Sequence, residues 1–115
     1  MPIPLNISFH GMDSSSALED HIREKLEMLE HLHPNITRCN VTIEKPHHHK
    51  QQGNPFNVRI DLYVPGDEIV INRDADEDVY VALRDAFDAA KRQVQRHAQK
   101  KRGDVKHHSL PGGTE

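Results

Sequence analysis

The stretch that decides the fold is DEDVYVALRDAFDAAKRQVQRHAQKKR, residues 76–102. It contains neither Gly nor Pro, and its apolar residues recur at the spacing of one helix face: Val79, Leu83, Ala86, Phe87, Ala90, Val94 and Ala98. Carboxylates occupy its first three positions and cations its last three, so each sign of charge lies at the end of the helix dipole that favours it. We therefore predict a helix over 76–102, about 40 Å long, that ends before Gly103.

Length and composition limit the classes of protein that fit the chain. Its 115 residues suffice for one domain with a single core, and one cysteine, Cys39, excludes an internal disulfide. No apolar run approaches the roughly 20 residues of a membrane span, and residues 1–10 lack the basic and long apolar regions of a signal peptide. The composition predicts a cytoplasmic protein that enters no membrane.

The formal charge of −3 conceals a separation of charge along the chain. Residues 1–90 hold eight Lys or Arg against sixteen Asp or Glu, whereas residues 91–106 hold seven Lys or Arg against one Asp. Such a block creates a local potential that the net charge does not report. The second half of the predicted helix is therefore a candidate anion-binding surface.

Periodicity and turn residues predict the remaining elements. Alternating apolar residues indicate four strands, at 3–9, 36–44, 56–64 and 68–73. An apolar stripe indicates a first helix that begins at one of the caps in 13–16 and ends before Pro34. The order β-α-β-β-β-α predicts an α+β fold, with both helices on one face of an antiparallel-rich sheet. We predict a folded domain over 1–102 and, because its apolar content is low, a flexible tail over 103–115.

Cations of the predicted helix fall outside its apolar stripe and fan out towards solvent, with Arg84 two turns before Lys91 on the same side. Such a surface binds phosphates by releasing counterions, and the scarcity of aromatic residues favours recognition of folded RNA through its backbone. Cations of the first helix extend the surface. The predicted RNA-binding residues are Arg23, Lys25, Arg84, Lys91, Arg92, Arg96, Lys100, Lys101 and Arg102. A solvated helix end, whose cations only complement the dipole, explains the same spacing equally well.

Metal and catalytic chemistry find less support. Three consecutive histidines at 47–49 lie in a polar loop over 46–55, but consecutive loop residues cannot all face one ion, and no Cys pair accompanies them. The loop either contacts phosphate or is a plain flexible loop. Carboxylates cluster at helix starts, where capping explains them, and Cys39 alternates with apolar strand residues as a core thiol does. We predict no enzyme activity, no catalytic residue, no metal, no cofactor and no small-molecule substrate.

Several motifs resemble the ribosome hibernation promoting factors, a family also called ribosome-associated inhibitor (protein Y) or sigma-54 modulation proteins. Residues 78–83 (DVYVAL) are similar to its D-M-Y-A-A-I motif, and residues 92–97 (RQVQRH) to its R-Q-L-x-K-H motif. Shorter matches precede them in the family's order: Asn6-Ile7-Ser8, Ala17-Leu18 and Glu44-Lys45. The resemblance covers residues 3–102, while the loop at 46–55 is longer than in compact members.

The resemblance implies a domain similar to double-stranded-RNA-binding domains. It also implies binding to the small ribosomal subunit across the tRNA and mRNA path of the decoding region, which blocks translation and preserves idle ribosomes in stationary phase or stress. Basic residues of both helices then face ribosomal RNA, best matched by Arg92 and Arg96 and more loosely by Lys91, Lys100, Lys25 and Arg23. The chain corresponds to the short form, without the dimerisation domain of the long forms, and we expect a monomer.

A second class of function stays open. The sheet face turned away from the helices, around Arg59 and Tyr63, could instead serve a protein-interaction module, for example one that modulates a transcription factor.

Overall fold

The six elements of the fold follow the predicted order. The structure is a computed structural model that describes residues 3–45, 56–75 and 78–107; of residues 75 and 101–107 it describes the backbone alone. Along the chain lie β1 (Leu5–His10), α1 (Ser16–Leu32), β2 (Arg38–Glu44), β3 (Phe56–Val64), β4 (Asp67–Ala75) and α2 (Val79–His107). The predicted β-α-β-β-β-α arrangement is confirmed.

The four strands form one mixed sheet in the order β1-β2-β3-β4. β1 pairs with β2 in parallel, whereas β2–β3 and β3–β4 are antiparallel. A parallel pair needs a long crossover connection, which α1 supplies, and an antiparallel pair needs only a short turn, which Pro65 and Gly66 supply between β3 and β4. The α+β class is therefore confirmed, while the further likeness to double-stranded-RNA-binding domains stays a prediction.

One apolar row crosses the whole sheet on the face that packs against the helices. Ile7 is in register with Val41, Val41 with Ile60, and Ile60 with Ile71. Val41 and Ile60 are buried at the centre of the sheet, and Ile7 is half-buried at its edge. Because strand side chains alternate between faces, a slip of one residue would turn these side chains to water. The row therefore fixes the register of all four strands.

Both helices cover this face, as predicted. α1 buries Leu18, Ile22, Leu26 and Leu29. α2 buries a broader stripe that is rich in alanine: Ala82, Leu83, Ala86, Phe87, Ala89, Ala90 and Val94. The two stripes join the inner face of the sheet in a single core. Small side chains at the contact allow a helix to approach its neighbours closely, so the alanines seat the first half of α2 against the sheet.

The first helix begins and ends where local chemistry dictates. Ser15 is its N-cap, and the Ser15 Oγ accepts a hydrogen bond of 3.2 Å from the Leu18 amide. This cap lies within the predicted range of 13–16. Pro34 disfavours helical geometry at the residue before it, and α1 ends at Leu32.

The bounds of α2 differ from the predicted 76–102 at both ends. A carboxylate oxygen of Asp78 accepts a hydrogen bond of 2.8 Å from the Tyr80 amide, so Asp78 caps the helix and Val79 begins it. Residues 76–77 lie outside the described residues. The predicted stop at Gly103 is wrong, because α2 runs through it to His107. A glycine costs a helix only about 1 kcal/mol, which does not by itself end one. The predicted flexible tail stays a prediction.

Two glycines adopt backbone angles that other residues avoid. Gly11, after β1, has a φ of 76°, and Gly66, in the β3–β4 turn, has a φ of 80°. A Cβ atom at Gly11 would collide with the backbone carbonyl oxygen of Lys45, whereas a Cβ at Gly66 would meet open space. Lys45 is held there because its amide donates a hydrogen bond of 2.9 Å to the carbonyl of His10.

Replacing these glycines by alanine separates the cost of the backbone angle from the cost of the collision. Gly66→Ala should lower the free energy of unfolding by about 1–2 kcal/mol, the usual cost of a left-handed residue. Gly11→Ala should lower it further, because the β1–α1 connection or Lys45 must also move. Urea unfolding of both variants measures the difference, and equal losses would show that the collision relaxes at no cost.

Candidate nucleic-acid interface

The exposed side of α2 carries the cations that its apolar stripe leaves free. Each of the five whose side chains the structure describes is exposed: Arg84, Lys91, Arg92, Arg96 and Lys100. Residues 89–100 contain no carboxylate, whereas the first half of the helix carries Asp85 and Asp88 against one cation, Arg84. The positive potential of α2 is therefore strongest in its second half.

The position of α1 divides these cations into two rows. Tyr80 packs edge-on against His21 of α1, with ring centroids 5.0 Å apart. The charge of Lys91 lowers the pKa of His33, the residue that follows α1. α1 therefore flanks the side of α2 that carries Tyr80, Arg84 and Lys91. We call Arg84 and Lys91 the inner row.

The remaining cations face away from α1. Arg92 follows Lys91 by one residue, which turns it about 100° further round the helix. Arg96 and Lys100 continue from Arg92 at intervals of four residues, the spacing at which helical side chains stand above one another. We call Arg92, Arg96 and Lys100 the outer row. A nucleic-acid backbone on this side of the domain would meet cations over both rows.

Only one of the two predicted cations of α1 joins this surface. Lys25 is half-buried and lies one turn after His21, on the flank that faces α2. Arg23 lies midway between His21 and Lys25 in the sequence, which turns its side chain to another side of the helix. Its guanidinium lies 3.5 Å from the exposed carboxylate of Asp20. The structure thus brings Lys25 beside the inner row and leaves Arg23 apart from it. A role for Arg23 in RNA binding stays a prediction.

Arg84 has a carboxylate within ion-pair distance, unlike the other cations of α2 whose side chains the structure describes. Its guanidinium lies 3.2 Å from the side chain of Asp85, and both groups are exposed. Exposed ion pairs are worth between 0 and about 1 kcal/mol, so a phosphate can displace this one. Arg84 can therefore still bind a phosphate, although the positive potential around it is weaker than along the second half of α2.

Several predicted residues lie beyond what the structure describes. Lys101 and Arg102 are on the backbone of α2, but their side chains are outside the described part, and so is the histidine loop at 46–55. Their predicted roles stay predictions. Among the described residues, no group of His, Cys, Asp and Glu is arranged to hold a metal ion.

Cys39 is a core thiol, as its alternation with apolar residues predicts. It is fully buried on β2, and burial, with a smaller effect of the Asp61 carboxylate, raises the pKa of its thiol to about 12. The thiolate form required for nucleophilic attack is therefore suppressed at neutral pH. In the described part of the chain, no helix is long and apolar enough to cross a membrane.

The outer face of the sheet has the opposite electrostatic character. Asn6 and Asn40 share a hydrogen bond of 3.2 Å across β1 and β2, and the Arg59 guanidinium lies 3.0 Å from the carboxylate of Asp61. The Arg38 guanidinium lies 4.6 Å above the ring of Tyr63. Two arginines on this face are outnumbered by four carboxylates, those of Glu44, Asp61, Glu68 and Asp74. The second half of α2 is thus basic and the outer sheet face is acidic, whereas α1 carries five carboxylates against two cations.

Sequence reasoning missed two histidines beside the cationic rows. His33 caps the C-terminus of α1, and burial, followed by the charge of Lys91, lowers its pKa below 6.5. His97 lies on the side of α2 that packs inward, three residues after Val94, and its Nε2 is 3.4 Å from the carboxylate of Asp67. The sequence could have indicated that His97 packs inward, because this histidine follows Val94 at the spacing of the apolar stripe. The position of His33 depends on where the helices meet, which periodicity does not show.

Comparison with known proteins points to one family. Residues 5–102 match the model of the family described as sigma 54 modulation protein / S30EA ribosomal protein. The ribosome hibernation promoting factor of Azotobacter vinelandii is 36% identical over 98 residues, which cover 84% of this chain and 83% of the relative. The protein of the same name from Pseudomonas putida is 32% identical over 96 residues, covering 84% and 87% of the two chains.

Two solved structures share the fold. A ribosomal subunit interface protein from Coxiella burnetii superposes with a TM-score of 0.73 at 16% identity, covering 84% of this chain and 99% of that one. The N-terminal domain of Protein Y from Thermus thermophilus gives a TM-score of 0.67 at 20% identity, with the same two coverages.

The proximity of Lys91 to His33 can be tested by titration. Lys91→Gln removes the second cause of the lowered pKa, so the pKa of His33 should rise part of the way towards 6.5 while burial keeps it below that value. NMR of the imidazole protons measures the change. Arg92→Gln, a change of equal charge on the next residue, should leave the pKa of His33 where it is. An equal rise in both variants would place Lys91 away from His33.

The same shift sets a pH dependence of stability. A lowered pKa means that folded His33 binds fewer protons than the unfolded chain near pH 6.5. Its contribution to stability should therefore be fully present above pH 6.5 and be lost as the pH falls through the lowered folded pKa. Urea unfolding across this range should show that the stability of the wild type rises more steeply with pH than the stability of His33→Gln does.

Proposed function

Since the chain belongs to the sigma 54 modulation protein / S30EA ribosomal protein family, we propose that it is a ribosome-associated translation inhibitor that binds ribosomal RNA of the small subunit in the decoding region. The conditions of its action are stationary phase or stress, in the cytoplasm, and it acts as a monomer without catalysing a reaction. The relatives named as ribosome hibernation promoting factors support the hibernation role.

The observation that carries the RNA-binding step is the cationic second half of α2. Lys91, Arg92, Arg96 and Lys100 are all exposed on a segment that contains no carboxylate. Each cation that neutralises a phosphate releases condensed counterions, which favours binding without requiring a particular base sequence. Two rows on different sides of one helix suit a groove or channel in folded RNA better than a flat surface, because phosphates then approach from both sides.

Inhibition follows from occupancy. A domain seated in the path of tRNA and mRNA excludes both by its volume, so no bond needs to be made or broken. The acidic outer face of the sheet would repel phosphates and so disfavour binding in the reverse orientation. In this proposal the helical side contacts RNA and the sheet side does not.

The alternative, a protein-interaction module that uses the sheet face, has less support. Among the described residues of that face, Val70 is the one large apolar side chain that is exposed. Tyr63 is half-buried beneath Arg38. Protein interfaces usually have an apolar or aromatic core, which this face does not present.

Reversing two charges of the outer row should abolish ribosome binding. Arg92→Glu with Arg96→Glu replaces attraction to phosphates by repulsion, and both sites are exposed, so the fold should survive. Co-sedimentation with small ribosomal subunits through a sucrose cushion measures the loss, and thermal unfolding confirms the fold.

The matched control changes the net charge by the same amount on the opposite face. Arg38→Glu with Arg59→Glu should co-sediment as the wild type does. Loss of binding by the sheet variant, with the helix variant unaffected, would overturn the proposed interface. That result would favour the sheet face as the binding surface. A protein partner that stays bound to the sheet face after nuclease treatment would favour the alternative function.

Salt dependence tests whether the outer row contacts phosphates directly. Each lost phosphate contact should lower the slope of log K against log salt concentration by about 1, so Arg92→Gln with Arg96→Gln should reduce it by about 2. Titrations at several salt concentrations measure the slope. An unchanged slope with weaker binding would mean that the two arginines act through the fold instead.

A further inference from the structure

A cavity of about 390 Å³ lies where the C-terminal end of α1, the β3–β4 turn and the second half of α2 meet. Its apolar walls include Ile36, Val64 and Val94, each more than nine-tenths buried, and its rim includes His33 and His97. Pockets that bind small ligands span about 300–1,000 Å³ and combine apolar walls with a few polar groups. This cavity has the size and the lining of such a pocket.

The two imidazoles differ in what they can bind. The Nε2 of His97 lies 3.4 Å from the carboxylate of Asp67, which holds that ring to β4. The Nε2 of His33 is buried, and within the described residues it has no hydrogen-bond partner. Buried polar atoms nearly always have one, and because solvent does not reach this atom, a ligand could complete it only after the imidazole turns towards the cavity. Its lowered pKa keeps the ring neutral at neutral pH, when one nitrogen donates and the other accepts.

The charge beside the cavity favours a ligand that carries phosphate. Lys91, an inner-row cation, lies one helical turn before Val94, which lines the cavity. Arg84 precedes Lys91 by seven residues, or about 10 Å along the helix. The inner row therefore leads up to the cavity. A nucleic-acid strand whose phosphates follow this row would bring its next nucleotide to the cavity. There the imidazoles of His33 and His97 and the apolar walls could accept a flat, partly apolar group.

We propose that the cavity takes one unstacked nucleobase from the RNA strand whose phosphates lie along the inner row. The base would lie against the imidazoles of His33 and His97, and its polar edge would pair with His33 Nε2 once that ring turns towards the cavity. Folded RNA offers such bases in loops and bulges, and proteins read them by stacking and edge hydrogen bonds. This inference rests on the proposed function and adds a base contact to its phosphate contacts.

Filling the cavity without changing charge is the direct test. Ala98 is half-buried and lines the cavity, and leucine is almost as good a helix former as alanine, so Ala98→Leu should occupy the space and keep α2 intact. Gln99→Leu places the same side chain on the next residue, which is exposed and outside the cavity. His33→Ala removes the unpaired imidazole as an independent second variant.

The first readout uses free RNA. Single-stranded hexamers of A, C and U are titrated into the protein while NMR follows the imidazole protons of His33 and His97. We expect at least one hexamer to shift both signals in the wild type and in Gln99→Leu. In Ala98→Leu and in His33→Ala, the affinity for that hexamer should fall roughly tenfold, which is the scale of one lost base contact. No shift with any hexamer, or equal affinity in all variants, would overturn the proposal.

Adenosine, cytidine and uridine monophosphates form the second arm, because a free nucleotide carries the same chemistry as a base in a strand. We expect each to bind far more weakly than its hexamer, since it lacks the phosphates that reach Arg84. A monophosphate that binds as tightly as its hexamer would overturn the assignment to an RNA strand and leave a site for free nucleotides.

Ribosome binding separates failure of this inference from failure of the proposed function. If Arg92→Glu with Arg96→Glu abolishes co-sedimentation while Ala98→Leu changes neither co-sedimentation nor the imidazole shifts, the phosphate interface stands and the base site falls. If the charge variant binds as the wild type does, the proposed function falls, and with it the premise of the base site.

Discussion

The structure depends on one packing constraint, which is that two helices must cover the apolar face of a single four-stranded sheet. The row from Ile7 to Ile71 presents that face across all strands, and the buried residues of α1 and α2 close over it. Once α2 is seated by its alanine-rich stripe, the remainder of its circumference must face solvent. The cations of its second half are exposed for this reason, and the place of α1 beside it decides which of them form the inner row.

Much of this fold follows from local patterns. Strands with strict alternation, such as β3, and helices with one apolar stripe leave little freedom, because any other arrangement would expose the stripe. Helix ends depend on smaller energies. The glycine at 103 signals a stop, but its cost of about 1 kcal/mol is easily outweighed by the residues that follow. The cap at Asp78 was similarly hidden among three consecutive carboxylates, any of which could serve.

The candidate interface was predictable from the sequence only as a set of residues, without their arrangement in space. Periodicity shows which side of α2 is exposed, and so identifies Arg92 and Arg96. It does not show on which flank α1 lies, and therefore cannot separate Lys25, which faces α2, from Arg23, which does not. The cavity beside His33 could not be predicted from the sequence either, because a helix end, a turn and a second helix form it together. Sites assembled from three elements require the tertiary structure.

The opposite charges of the second half of α2 and the outer sheet face would affect the kinetics of the proposed binding. Separated charge gives a domain an electric dipole moment, and a polyanion as extensive as ribosomal RNA would exert a torque on it before the two touch. The domain would then arrive with the second half of α2 already turned towards the RNA, which shortens the rotational search that limits most association rates. Because salt screens this field over about 10 Å at 0.1 M, the preorientation would act only within a distance shorter than the domain itself.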